Sequence, residues 1–111
     1  MTLKELTQAL EDIGYPVFYS HPIVDDNNPA PDLPYITYLF AYSNDFMADN
    51  INYVDVGVFQ IELYTKYKDL DAEQYVQNKL KELRLPYNKT ETYLDTEKLY
   101  QIIYEIQLIG G

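Results

Sequence analysis

The sequence holds no cysteine and no tryptophan, a single histidine and only four glycines. Each shortage closes off some chemistry. Without cysteine there are no disulfides and no thiolate metal sites, and a reducing compartment suits the chain. Gly14, Gly57, Gly110 and Gly111 are too scattered to form a glycine-rich phosphate loop. His21 could join a Ser–His–acid arrangement only with Ser20 or Ser43, and neither serine sits in a nucleophile elbow. Paired carboxylates are plentiful in so acidic a chain, and nothing singles out one pair. The chain therefore reads as a non-enzyme, with no catalytic residue and no cofactor expected. Long apolar runs are also missing. None approaches the ~20 residues needed to cross a bilayer, and Met1 leads into a polar segment, so the expectation is a soluble intracellular protein without a membrane partner. Basic residues are scarce as well. Eight against 18 acidic ones leave a formal charge of −10, which argues against non-specific nucleic-acid binding, since that is driven by cations displacing counterions from phosphates.

What the chain does have is tyrosine, 13 of them, beside four phenylalanines and a hydrophobic content of 47 %. That content excludes disorder by composition. Tyrosine suits strands, and it suits subunit contacts, where a rigid ring ends in a group that tolerates water. The 111 residues form one domain, 1–111, with no repeat and no linker.

The organising stretch is Tyr53 to Lys66, YVDVGVFQIELYTK, rich in β-branched and aromatic residues. Val54, Val56 and Val58 fall on one face of a strand, whereas Phe59, Ile61 and Leu63 fall on the other. This predicts a bulge or twist near Gly57 and Val58, or else a central strand covered on both faces. Ahead of it, Thr2 and Glu5 form a capping box, and Leu3, Leu6, Leu10 and Ile13 make a helical stripe stopped at Gly14 and Pro16. Val17–Tyr19 is a short strand. Ser20 to Pro34 is a polar, proline-rich loop around Asp25 and Asp26, whose spacing fails the calcium-loop pattern because Ala30 stands where glycine is required. Tyr35 to Tyr42 is a second central strand. Ser43 to Asn52 is then a loop too long for a tight hairpin turn, and it carries Phe46, Met47 and Ile51 among Asp45, Asp49 and Asn50. Apolar residues at a loop tip either tuck into the core or await a partner. A second helix starts near Asp69 or Asp71, with Ala72, Val76, Leu80 and Leu83 on one face. A final hairpin joins Tyr87–Leu94 to Lys98–Ile109 through Asp95–Glu97. The class is α+β: a mostly antiparallel sheet of four to five strands with two helices packed on one face.

Leu33 to Leu80 carries a recognisable series: Pro34-Tyr35 opening a strand, Ala48-Asp49-Asn50 in an Asp/Asn-rich loop, Glu62-Leu63-Tyr64-Thr65 ending a strand, and Lys68-Asp69 turning into an acidic-start helix. Tyr93, Glu97-Lys98-Leu99-Tyr100 and Ile103-Tyr104-Glu105-Ile106 continue it through the last hairpin. In these features the chain resembles tail terminator (tail completion) proteins of long-tailed phages and prophages of Gram-positive bacteria. The likeness spans nearly the whole chain except residues 20–32. It implies a hexameric ring at the head-proximal end of the tail tube, stopping tube polymerisation and forming the docking surface for the head. Its implied partners are further copies of itself, the major tail tube protein and the head–tail connector and neck proteins, and its implied location is the virion, at the head–tail junction, after assembly in the host cytoplasm. DNA would pass through the ring without specific binding. None of the matching motifs is catalytic. Asp45, Phe46, Met47, Asp49 and Asn50, together with Asp25 and Asp26, are the expected interaction residues. The rival readings are another neck protein, such as a head-closure or connector protein, and a monomeric acidic binding or inhibitor module.

Overall fold

The computed structural model describes residues 1–110. Helix α1 (Leu3–Glu11) begins as its capping box dictates: Thr2 Oγ1 accepts the Glu5 amide at 3.2 Å, and Glu5 Oε1 accepts the Thr2 amide at 3.1 Å. Strand β1 (Val17–Tyr19) follows, and the chain from Ser20 to Pro34 is irregular. Strand β2 (Tyr35–Ser43) leads to two short strands, β3 (Phe46–Ala48) and β4 (Ile51–Val54), and then to the ten-residue β5 (Val56–Thr65). Helix α2 (Leu70–Glu82) is capped by Asp69, whose carboxylate accepts the Ala72 amide at 3.0 Å. Strands β6 (Asn88–Leu94) and β7 (Leu99–Ile109) close the fold as a hairpin.

Five strands form one sheet in the order β1-β2-β5-β7-β6, antiparallel throughout except for β1, which runs parallel to β2. Both helices cover the same face. Leu6 and Leu10 of α1 and Ala72, Val76 and Leu80 of α2 are fully buried against Ile36, Ile61, Leu63, Ile102 and Tyr104, which alternate along their strands. Thr7 ties α1 to the sheet through a 2.7 Å hydrogen bond between its hydroxyl and that of Tyr38. The architecture is the α+β arrangement read from the sequence, with five strands in the main sheet.

Two local expectations are corrected. The stretch from Tyr53 to Lys66 is two strands rather than one, because the ladder is interrupted at Asp55. The irregularity expected at Gly57 and Val58 sits on the partner strand: the register shifts between Phe40 and Tyr42, opposite Phe59 and Val58. Strand β5 itself alternates without a phase change. Val58 on the helix-free face is as inaccessible as Ile61 on the helix face, so the central strand is buried on both sides. The helix-free face also carries a polar cluster. Glu62, only 7 % exposed, accepts from Thr37 Oγ1 at 2.9 Å and from Tyr64 Oη at 3.1 Å, with Gln101 Nε2 at 3.4 Å. Tyr35 stacks on Tyr64 beside it. Burial, reinforced by the Glu62 charge, holds both phenols above their usual ionisation range, so both stay neutral.

On the helix face, α2 is anchored by one buried carboxylate. Lys68 Nζ lies 2.7 Å from Glu73 Oε2, and Lys89 Nζ lies 2.7 Å from Glu73 Oε1 as an ion contact. Burial alone would raise the Glu73 pKa, but the two ammoniums outweigh it and hold the carboxyl below its usual range. Strand β7 outruns its outer neighbour: β6 pairing ends at Glu105, while β5 pairing continues to Ile109.

Candidate docking arm and the cationic cleft at the opposite pole

The segment expected as a loop, Ser43 to Asn52, is mostly a ribbon. Strands β3 and β4 pair antiparallel outside the main sheet, with Phe46 opposite Val54 and Ala48 opposite Ile51. The turn at the tip is Asp49-Asn50, both left-handed (φ 53° and 65°), the geometry of a two-residue type I′ hairpin. Asp and Asn tolerate that conformation better than other side-chain-bearing residues, so the turn follows from the local sequence. At the base, the Asp45 carboxylate accepts the Val56 amide at 2.7 Å and the Asn52 side-chain amide. The Asn44 amide donates to the Val56 carbonyl at 2.8 Å. These bonds lie at the break at Asp55, where the ribbon separates from the main sheet.

An isolated two-stranded ribbon is marginal in water, and this one stabilises itself little. Phe46, Met47, Ile51 and Tyr53 remain 61–69 % exposed, with Phe46 and Tyr53 meeting edge to face at 6.4 Å. Exposed Phe40 and Tyr42 continue the apolar surface onto the sheet. The molecule measures 49 × 31 × 26 Å, and its 15.2 Å radius of gyration exceeds the value of about 13 Å typical of a compact chain of this length.

The expected interaction residues thus divide. Phe46 and Met47 lie exposed on the ribbon, Asp49 and Asn50 form its tip, and Asp45 is engaged in building its base. Asp25 and Asp26 lie apart from them, in the irregular segment. The Asp25 carboxylate accepts both the Asn27 and Asn28 amides at 2.8 Å, and these bonds hold its pKa below the usual range. Asp26 is exposed next to it. His21 Nδ1 lies 3.2 Å from Ser20 Oγ at the start of that segment.

Sequence reasoning missed two features. Ile23 and Val24, beside Asp25, are 73 % and 57 % exposed, and a bare apolar pair inside a polar loop was the available signal. The second lies at the far end of β5. From Glu5 to Thr65 the chain has ten acidic residues and no lysine or arginine, and seven of its eight basic residues lie between Lys66 and Lys98. Three of these, Lys66, Lys68 and Lys98, line an open cleft of about 440 Å³ with Tyr67, Tyr93 and Tyr100. Among the described residues, no carboxylate lines it. Lys68 is engaged by Glu73 and Glu91, whereas Lys66 lies 5.7 Å from the centre of the Tyr67 ring. Tyr67 is 71 % exposed.

No family model matches the chain, and no curated protein matches it either. Fold and surface together define an α+β protein with a five-stranded main sheet, an apolar hairpin arm at one pole and a cationic, aromatic cleft at the other.

Proposed function

We propose that this protein is a structural subunit of a phage tail, capping the head-proximal end of the tail tube as a ring. The ring ends tube polymerisation and forms the surface to which the head docks. The observation that carries this reading is the β3–β4 arm. Four large apolar side chains stand exposed on a ribbon held by the two central strands, and a rigid scaffold of this kind is where binding elements are carried. The motifs that liken the chain to tail terminators include the arm's own tip, Ala48-Asp49-Asn50. Ring assembly also accounts for the excess of half-exposed tyrosines. The predominance of carboxylates suits a channel that DNA traverses without adhering.

The test is made on assembled tails. Tails purified from particles that encode this chain should carry a ring of it at the head-proximal end, visible by electron microscopy and by labelling with an antibody against the chain. Tails ending there without it would refute the reading. A monomeric state of the isolated chain would not, because the tube can act as the template for ring closure.

A further inference from the structure

The geometry points to a specific joint between copies: we propose that the β3–β4 arm of one copy seats in the Lys66–Tyr67–Lys98 cleft of the next. This rests on the ring reading above and specifies how the ring is joined. The arm and the cleft cap opposite ends of β5, whose ten residues span about 33 Å, so no copy can fill its own cleft. The two surfaces complement each other in charge and in chemistry. The arm offers Asp49 and Asp55, both exposed, and the segment from Glu5 to Thr65 around it contains no cation. The cleft offers Lys66 and Lys98, neither with a carboxylate partner among the described residues, while its third lysine already holds Glu73 and Glu91. The adjoining turn acids, Asp95 and Glu97, do not line it.

The apolar parts match as well. Phe46, Met47 and Tyr53 on the arm meet Tyr67, Tyr93 and Tyr100 in the cleft, where a thioether and aromatic rings pack well together. An acidic, aromatic ribbon and a cationic, aromatic cleft on one chain make a heterologous, head-to-tail contact. Such a contact generates a closed ring when the rotation per subunit completes a circle.

The chain has no cysteine, so engineered thiols report the contact directly. A Met47→Cys chain and a Tyr67→Cys chain are mixed at high concentration and oxidised with a mild disulfide reagent. The expected product is the mixed disulfide dimer in large excess over either homodimer. Adding Lys66→Glu and Lys98→Glu to the Tyr67→Cys chain should cut that yield about tenfold. Asp49→Lys and Asp55→Lys on the Met47→Cys chain should restore it. Lys4→Glu with Lys81→Glu, which changes net charge equally at exposed sites outside the cleft, should leave it intact. Homodimers alone, no disulfide, or equal loss in that control would overturn the joint. So would binding of a single-stranded oligonucleotide abolished by the same cleft reversal, which would assign the cleft to nucleic acid. Failure here leaves the ring reading standing, because that reading is decided at the ends of purified tails.

Discussion

Glu73 shows how one residue can hold two layers of the fold together. The residue is 2 % exposed, and Lys68 and Lys89, reaching it from the chain before α2 and from edge strand β6, favour its ionised form against burial. Because its folded pKa lies below the ordinary value of 4.5, its contribution is present above that value and is lost as pH falls through the lower, folded one. Acid denaturation followed by circular dichroism should therefore show a destabilising limb below about pH 4.5. Glu73→Gln should flatten that limb and cost about 1–3 kcal/mol at neutral pH, through lost charge-assisted contacts. An unchanged acid limb would mean that the two ammoniums contribute nothing. Tyr104 acts at the opposite end of the scale. Burial, with the Glu73 charge next, pushes its phenol far above the usual range, while its hydroxyl donates to Gln77 Oε1 at 3.1 Å. The unfolded chain ionises near pH 10 and the folded one does not, so stability should fall as pH rises past about 10. Tyr104→Phe should weaken that alkaline loss, read as a shallower drop in thermal midpoint between neutral and alkaline buffer.

Among the elements, helix α2 and the arm behave as opposites. Leu80 is fully buried between α2 and the sheet, so Leu80→Ala should cost about 2–5 kcal/mol in a denaturant titration. A loss under about 1 kcal/mol would place that helix face in solvent. Phe46 and Met47, in contrast, are 64 % and 68 % exposed, so changing both to serine should leave the unfolding midpoint where it was. A fall of about 2 kcal/mol or more would make the arm part of the core. The two helices were legible from the sequence because Leu6, Leu10, Val76 and Leu80 repeat at helical spacing, and the capping groups Thr2 and Asp69 stand at their starts. The arm was not legible as a ribbon. Val54-Asp55-Val56 keeps the apolar–polar alternation of a continuous strand, and the break comes from Asp45, ten residues earlier, taking the Val56 amide. Asp49-Asn50 was visible as a turn-forming pair, but as a two-residue hairpin turn it becomes evident only once Ala48 is seen opposite Ile51. Strand β1 pairs parallel to β2 through only three residues, too few to carry a directional pattern.

At the scale of the whole molecule, what matters is the separation of two unlike poles by one long central strand. The cationic cleft could not be read from spacing, since Lys66 and Lys98 stand far apart in sequence. They meet only because β7 lies beside β5, with Tyr100 opposite Thr65. The candidate residues on the arm were legible, because Phe46 and Met47 are out of place among turn-forming Asp and Asn. Under the proposed joint, the exposed apolar arm at one pole and the cleft at the other would make repeated contacts of one kind, as a ring requires. The proposed role of the arm is tested most directly by tail length, measured by electron microscopy on particles whose copy of this protein carries Phe46→Ser and Met47→Ser. With the variant folded at its normal midpoint, the account predicts uncapped tubes of irregular length. Tails of uniform length, capped as in the parent, would contradict it.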